Sequence, residues 1–243
     1  LHRYPEPQPA ALLAALASHY GVSTEQLLVG RGSDEGIDLL TRAFCRAGED
    51  AVIICPPTFG MYAVAARIQG AAVVNVPLGK DYALDDAGVI AALDPRVKLV
   101  WLCSPNNPTG NSLDSAAIRR VLEAARGRSL VVVDEAYSEF SAQASWVGSL
   151  AEYPHLVILR TLSKAQGLAG ARIGTVIAAP TVIRLLRKII PPYALPCDSA
   201  NLGTIAMQPP ALAITRERIE LLLRERERLG TALSSSPLLT RIW

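Results

Sequence analysis

Four clusters of polar residues each follow a short apolar, β-branched run of the sequence, and each offers a different chemical group. They are Gly30 to Glu35, Ser104 to Gly110, Asp134 to Tyr137 and Arg160 to Arg172. In doubly wound α/β sheets, ligands collect at the carboxyl ends of the strands. We therefore expect all four clusters to lie along one edge of such a sheet and to face a single ligand.

The first cluster, Gly30-Arg31-Gly32-Ser33-Asp34-Glu35, has the residues of a phosphate cradle. Its glycines permit close approach of the backbone, and Ser33 can cap a helix whose first amides face outward. Such amides bind phosphate groups. An ordinary glycine turn with a serine cap explains the same residues, so this motif alone leaves both interpretations open.

The second cluster is a polar loop, Ser104-Pro105-Asn106-Asn107-Pro108-Thr109-Gly110. Two prolines restrict its backbone and fix the carboxamide of Asn107 between them. A rigid loop of this kind suits a donor that holds one oxygen of a ligand. The alternative is a structural turn that only leads into the next helix, because Asn-Pro and Thr-Gly are common turn pairs.

The third cluster, Asp134-Glu135-Ala136-Tyr137, places a carboxylate at the end of an apolar strand and a phenol three positions later. A carboxylate there is partly desolvated, and such a group tends to pair with a cation. The protonated heterocycle of a cofactor would fit. A helix-capping aspartate beside a surface tyrosine is the alternative.

The fourth cluster contains Lys164 amid small and apolar residues. Such surroundings can destabilise an ammonium group and so make the amine a nucleophile for a carbonyl. The hydroxyls of Thr161 and Ser163, together with Arg172, complete an anion site. Taken alone, Lys164 also fits a solvated surface lysine.

The elements that must position these clusters form a mostly parallel sheet flanked by helices, an α/β fold. The sequence predicts strands over Leu27 to Val29, Ala51 to Cys55, Ala72 to Val76, Lys98 to Cys103, Leu130 to Asp134, Leu156 to Thr161 and Ile173 to Ala178. It predicts helices over Pro9 to His19, Asp34 to Ala47, Gly60 to Gln69, Ser112 to Ala125, Thr181 to Ile190 and about Pro210 to Ser234. Prolines 191, 192 and 196 mark a boundary between residues 1–196 and 197–243.

Composition excludes several classes of protein. Of the 243 residues, 50% are hydrophobic and 19% charged, which excludes a disordered or fibrous chain. The net charge of +2 comes without a basic block, so capture of nucleic acid or an anionic membrane has no basis. No apolar run reaches the roughly 18 residues of a membrane helix. The four cysteines have no paired spacing, which favours reduced thiols over disulfides or a zinc site. We expect small-molecule partners and a cytoplasmic location.

Taken together, the four clusters supply the groups that pyridoxal 5'-phosphate needs. The chain resembles the large domain of the fold-type I aminotransferases, in particular that of the histidinol-phosphate aminotransferases. The resemblance covers nearly the whole chain through an ordered set of motifs: Arg3 to Glu6, Gly30 to Gly36, Cys55 to Tyr62, Ser104 to Gly110, Asp134 to Tyr137 and Leu159 to Gly174. It implies a three-layer α/β/α fold and a homodimer.

The resemblance also implies a role for each site residue. Lys164 matches the lysine that holds the cofactor as a Schiff base and moves the proton between the α-carbon and C4′. Asp134 matches the partner of the ring nitrogen, whose protonation makes the ring an electron sink. The donors to the ring's phenolic oxygen are Asn107 and Tyr137, and Phe59 stacks on the ring. The implied phosphate shell comprises Ser33, Asp34, Thr161, Ser163, Arg172 and, from the other subunit of the dimer, Tyr4.

The implied reaction is transamination between L-histidinol phosphate and 2-oxoglutarate, giving imidazole acetol phosphate and glutamate in histidine biosynthesis. Related alternatives are an aromatic aminotransferase and a threonine-phosphate decarboxylase. A catalytically silent ligand-binding module would have no need of a nucleophile beside an electron sink. A nicotinamide-binding domain ranks low, because the Gly-x-Gly-x-x-Gly fingerprint with a later ribose-binding acid is missing.

Two departures from the family pattern stand out. Gln166 follows Lys164-Ala165 where an apolar or aromatic residue is common, which is expected to alter packing beside the lysine. Members of the family also continue beyond the position of Trp243 into a small domain with substrate-binding arginines. We therefore expect a large-domain fragment, with residues 197–243 forming a connecting helix and the start of the small domain. Such a fragment is expected to turn over substrate slowly.

Overall fold

A seven-stranded sheet forms the centre of the computed structural model, which describes residues 2–239. The strands are β1 (Leu27–Arg31), β2 (Ala51–Ile54), β3 (Ala72–Asn75), β4 (Val97–Cys103), β5 (Leu130–Asp134), β6 (Leu156–Thr161) and β7 (Ile173–Ala178). Their order across the sheet is β1-β7-β6-β5-β4-β2-β3. The predicted mostly parallel sheet is confirmed: β7 runs antiparallel to both of its neighbours, and all other pairings are parallel.

Helices cover both faces of this sheet. They are α1 (Ala10–Tyr20), α2 (Ser33–Phe44), α3 (Met61–Gln69), α4 (Asp86–Ala91), α5 (Ser115–Ala125), α6 (Pro180–Ile189), α7 (Cys197–Ala206) and α8 (Pro209–Ser234). One apolar cluster lies beneath α1, α4, α5 and α7, and a second lies beneath α2, α3 and α6. The layers are therefore helix, sheet, helix. Within residues 2–239, no helix is both long and apolar enough to cross a membrane.

The central strand β5 shows how the sequence places a functional group. Val131, Val132 and Val133 are fully buried, because helices cover both faces of the strand. Side chains alternate between faces, so Val131 and Val133 join the α1 side and Val132 joins the α2 side. Asp134 follows in the same alternation and therefore lies on the α2 and α3 side.

The reversed direction of β7 brings a second group to the same edge. In the parallel strands that edge is the carboxyl end, whereas in β7 it is the amino end. Thr161, the last residue of β6, pairs with Gly174 near the start of β7. Arg172, which precedes β7, therefore lies beside the ends of β1 and β6.

Several element predictions need correction. Helix α2 ends at Phe44 and not Ala47, helix α5 begins at Ser115 and not Ser112, and β1 extends to Arg31. The sequence reading missed α4 because it has only six residues. It missed α7 because the buried residues of that helix, Ala200 and Gly203, are small and give a weak apolar pattern.

The division at residues 196 and 197 stays a prediction. Beyond it, Gly203 of α7 lies close to Leu12 of α1 and Ile173 of β7. Helix α8 runs for 26 residues with no fully buried side chain. The last residues of the predicted second part, 240–243, lie outside the described residues.

Candidate active site

A cavity of about 140 Å³ opens at the edge of the sheet where the parallel strands end. The structure brings together every predicted site residue except Tyr4 around it. The lining residues are Gly32, Ser33, Asp34, Phe59, Cys103, Asn107, Asp134, Ala136, Tyr137, Thr161, Ser163, Lys164, Ala169 and Arg172. Three lining residues have no role predicted from the sequence, and all three are apolar or weakly polar: Cys103, Ala136 and Ala169.

The carboxylate of Asp134 lies on the floor of this cavity and is only 3% exposed. Its Oδ2 accepts a hydrogen bond from the Tyr62 hydroxyl at 2.8 Å, and its Oδ1 accepts one from the Ala136 amide at 3.1 Å. Burial raises the pKa of the carboxyl to about 6. Among residues 2–239, no cation forms an ion pair with it. The site therefore favours a ligand that brings a positive charge to this carboxylate.

Tyr62 is the polar contact of Asp134 that the sequence reading missed. It lies on α3, one turn after Phe59, and the two rings meet edge to face at 5.6 Å between centroids. Tyr62 and Asp134 are 72 residues apart in the chain, so their contact depends on the packing of α3 against β5. The only signal in the sequence was the short, three-residue spacing between Tyr62 and Phe59, a predicted site residue that precedes α3.

Lys164 follows β6 in an exposed turn at the mouth of the cavity. Its ammonium nitrogen lies 5.2 Å from the centroid of the Tyr137 ring. Tyr137 is half-buried and lies in the segment directly after β5. The amine and the phenol, predicted from separate clusters, therefore share one wall of the site.

The Gly32-Ser33 turn forms another part of the cavity wall. Gly32 is the residue that precedes α2, with φ of 83°, and no side chain caps the helix. The expectation that Ser33 is the cap is wrong, because Ser33 already forms the first turn of α2. A Cβ atom on Gly32 would lie 2.7 Å from Arg172 Nη2. The turn thus requires glycine both for its backbone angle and for the close approach of Arg172.

Two hydroxyls and one cation complete this part of the site. Thr161 Oγ1 lies 2.9 Å from Ser163 Oγ and 3.1 Å from the Ile173 carbonyl oxygen. Arg172 Nη2 lies 3.2 Å from Asp34 Oδ2, and both side chains are about half exposed. The first amides of α2, the Ser163 hydroxyl and the Arg172 guanidinium form a donor set suited to an anion such as phosphate.

Tyr4 lies outside the cavity. It is 82% exposed and stacks on Tyr193 at 4.8 Å between ring centroids. Gln166, the departure beside the lysine, is buried, and its Oε1 has no hydrogen-bond partner among the described residues. Gln166 does not line the cavity, and we assign it no role in the site.

A larger cavity of about 710 Å³ adjoins the site and shares Asn107 and Tyr137 with it. The loop from Pro105 to Ser112 forms one wall. Leu222, Leu223 and Arg226 of α8 contribute to another.

The chain belongs to the class I and II aminotransferases: residues 1–238 match the model of the family described as aminotransferase class I and II. This family depends on pyridoxal 5'-phosphate, and the predicted family and cofactor are confirmed. The donor set fits that cofactor, because the site combines an anion cradle, an amine, and a buried carboxylate that has no cationic partner within residues 2–239.

Curated relatives carry a more particular name. The chain is 49% identical over 243 residues to a histidinol-phosphate aminotransferase of Escherichia coli (strain SMS-3-5 / SECEC), covering all of this chain and 68% of that protein. It is 53% identical over 235 residues to the histidinol-phosphate aminotransferase of Xanthomonas campestris pv. campestris, covering 95% of this chain and 65% of that protein. The chain thus spans about two thirds of the length of these relatives.

Solved structures agree with the fold. A histidinol-phosphate aminotransferase from Sinorhizobium meliloti, in complex with pyridoxal-5'-phosphate, matches with a TM-score of 0.85 and 28% identity over 96% of this chain and 63% of that chain. One from Clostridium acetobutylicum matches with a TM-score of 0.89 over 99% of this chain and 71% of that one, at 23% identity. The fold-type I large domain is therefore confirmed.

Proposed function

We propose that this chain forms most of the cofactor domain of an aminotransferase that exchanges the amino group between L-histidinol phosphate and 2-oxoglutarate. The products are imidazole acetol phosphate and glutamate, and the reaction belongs to histidine biosynthesis in the cytoplasm. The observation that carries the proposal is the identity of 49% and 53% with histidinol-phosphate aminotransferases along almost the whole chain. The clustering of the predicted site residues around one cavity supports it.

Lys164 is the proposed catalytic amine. From the mouth of the cavity its amine would hold the cofactor at the carbonyl carbon, with release of water, and the free amine would then move a proton at the substrate's α-carbon. The cofactor, when bound, supplies a protonated ring that accepts the electron pair of the α-carbon. Tyr137, whose ring lies beside the amine, and Asn107 are the proposed donors to the cofactor's phenolic oxygen.

Asp134 is the proposed partner of the ring nitrogen. Its buried carboxylate accepts two hydrogen bonds and faces the cavity without a cation among the described residues. An ionised carboxylate in this environment favours a protonated ring nitrogen beside it, because loss of that proton would leave a buried negative charge without a neutralising partner. Phe59 lines the cavity on the α3 side and is the proposed contact for the ring face.

The proposed phosphate shell consists of the Ser33 and Asp34 amides, the Ser163 hydroxyl and Arg172. Thr161 supports it by holding Ser163, since the two hydroxyl oxygens lie 2.9 Å apart. In this proposal the phosphate competes with Asp34 for the Arg172 guanidinium. A dianion is the stronger partner for a bidentate guanidinium.

A homodimer is part of the proposal. Tyr4 is 82% exposed and lies outside its own cavity, which suits a side chain that serves the phosphate site of a neighbouring subunit. The two-part organisation, a cofactor domain over residues 1–196 and a connecting helix with the start of a small domain over 197–243, also remains a proposal.

A screen of amino donors with the protein that carries this chain tests the substrate. We expect glutamate formation from 2-oxoglutarate to be fastest with L-histidinol phosphate, because its relatives at about 50% identity are named for that donor. Faster turnover of tyrosine or phenylalanine would identify an aromatic aminotransferase. Release of carbon dioxide from threonine phosphate would identify a decarboxylase, and either result would overturn the substrate assignment.

A further inference from the structure

Tyr62 is held rigidly between two aromatic rings. It is fully buried, stacks on Trp101 at 5.0 Å with an interplanar angle of 8°, and meets Phe59 edge to face. Two ring contacts on different sides prevent the phenol from tilting. Its hydroxyl therefore has a fixed position relative to the floor of the cavity.

That hydroxyl donates to Asp134 Oδ2 at 2.8 Å. Among residues 2–239 it is the one side-chain donor to this carboxylate, and the Ala136 amide is the one backbone donor. The other groups that face Asp134 do not stabilise its charge. Asp34 of α2 and the adjacent Glu135 are negative and raise its pKa, and the Cys103 thiol on β4 is neutral because burial raises its own pKa to about 12. The hydrogen bond from Tyr62 thus lowers the pKa of Asp134, whereas burial and the two neighbouring negative charges raise it.

We propose that Tyr62 is a positioning residue that keeps Asp134 ionised and aims its free lone pairs at the ring nitrogen of the cofactor. The inference rests on the proposed function of the cavity. Tyr62 does not line the cavity itself, so it acts only through Asp134 and touches neither cofactor nor substrate. Its effect should be on the carboxylate, and through it on the cofactor, with little effect on substrate binding.

The conservative variant Tyr62→Phe keeps the ring contacts and removes the hydroxyl. The first readout is the titration of Asp134 in the cofactor-free protein, followed by the carboxyl ¹³C resonance and assigned by its loss in Asp134→Asn. Loss of a hydrogen bond to the charged form raises the pKa, and we expect a rise of about one unit, a tenfold change in proton affinity. An unchanged pKa would overturn the proposal, whatever cofactor the cavity binds.

The second readout uses the holoenzyme. We expect Tyr62→Phe to weaken cofactor binding and to lower kcat about tenfold, with KM for the amino donor nearly unchanged, because the substrate makes no contact with Tyr62. A matched control is Tyr153→Phe. Tyr153 is also buried and its hydroxyl donates to a carboxylate, that of Glu123, at 2.8 Å, but neither residue lines the cavity. If Tyr62→Phe and Tyr153→Phe lowered kcat equally, the effect of Tyr62 would be a general structural one, and the proposal would be contradicted.

Incorporation of 3-fluorotyrosine at position 62 covers the case in which Tyr62→Phe fails to fold. The more acidic phenol donates a stronger hydrogen bond, so the pKa of Asp134 should fall instead of rise. A rise or no change would contradict the proposal. If the titration follows the expectation but the cavity binds no cofactor, the Tyr62 contact holds and the proposed function fails.

Discussion

At the scale of single residues, Asp134 has an environment that is unfavourable for its negative charge. Its carboxylate is buried, and its pKa rises to about 6 from the ordinary value of 3.8. In the proposed site, a ring nitrogen that carries a proton would supply a positive charge beside this carboxylate and relieve the unfavourable state. Burial of the acid and binding of the cofactor are therefore coupled.

This coupling predicts a pH-dependent stability. In the cofactor-free protein the folded state retains the Asp134 proton up to about pH 6, whereas the unfolded chain loses it near 3.8. The free energy of unfolding therefore falls as the pH rises between these values. Asp134→Asn removes the titrating group, so the variant should not lose this stability. Its free energy of unfolding minus that of the wild type should therefore increase by up to about 3 kcal/mol when the pH is raised from 4 to 7. Urea denaturation at both pH values measures it, and parallel pH profiles for the two proteins would contradict the assigned environment.

Asp134→Ala also separates catalysis from cofactor retention. The variant removes the proposed partner of the ring nitrogen but leaves the proposed phosphate donors Ser163 and Arg172, which also line the cavity, in place. We expect transamination to be abolished while some cofactor remains bound, measured by steady-state rates and by absorbance of the desalted protein. Activity within a few-fold of wild type would refute the role of the carboxylate.

Lys164→Arg tests the amine. Arginine keeps the positive charge but cannot act as a nucleophile or accept the proton, so transamination should fall by at least about a thousandfold. Lys188→Arg, on the exposed face of α6, is the matched control and should retain activity. Comparable turnover by both variants would place the catalytic amine elsewhere.

At the scale of elements, the close approach of β7 to the turn before α2 builds the phosphate end of the site. A Cβ atom on Gly174 would lie 2.1 Å from the Gly32 carbonyl carbon and 2.3 Å from the Ser33 nitrogen. Both contacts are with backbone, which cannot move aside as a side chain does. The conformation of this turn therefore depends on the absence of a side chain in β7.

Gly174→Ala should displace the turn and weaken both folding and cofactor binding. Overpacking against backbone costs about 3 kcal/mol, and we expect a loss of this order in unfolding free energy with at least a tenfold rise in cofactor Kd. Gly170→Ala is the control, since a Cβ atom there meets nothing within 4 Å. Thermal denaturation and cofactor titration compare the two. Similar behaviour of both variants would contradict the proposed close contact.

The elements also show what sequence alone can predict. Strands β5, β6 and β7 occupy the predicted residues, because strands covered on both faces are continuous apolar runs. The antiparallel direction of β7 was not predicted, since an apolar run carries no sign of direction. The contact of Tyr62 with Asp134 was missed for a similar reason: it joins residues from distant segments, and local spacing does not report such pairs.

At the scale of the whole molecule, the proposed dimer accounts for an exposed aromatic pair. Tyr4 and Tyr193 stack on each other outside the cavity of their own chain, and both are exposed. An exposed pair of large rings fits a surface that a second copy covers. Sedimentation should therefore show a dimer. A monomer at the concentrations used in activity assays would contradict the proposed homodimer.

Subunit complementation tests whether the sites are shared. Tyr4→Ala and Lys164→Ala each leave a homodimer with two defective sites, but a mixed dimer should contain one site with both groups. Mixing the two variants of the protein that carries this chain should restore cofactor affinity at about half of the lysine-containing sites. No gain on mixing, with dimer exchange verified by sedimentation of labelled subunits, would show that Tyr4 serves its own subunit or none.

The central claim is that Lys164 holds pyridoxal 5'-phosphate, and borohydride reduction followed by peptide mass spectrometry tests it most directly. Reduction makes the bond between the lysine and the cofactor permanent, so the modified peptide survives digestion. The account predicts a single cofactor-sized adduct on Lys164, absent from the Lys164→Arg variant. An adduct on another lysine, or none in the folded protein supplied with cofactor, would contradict it.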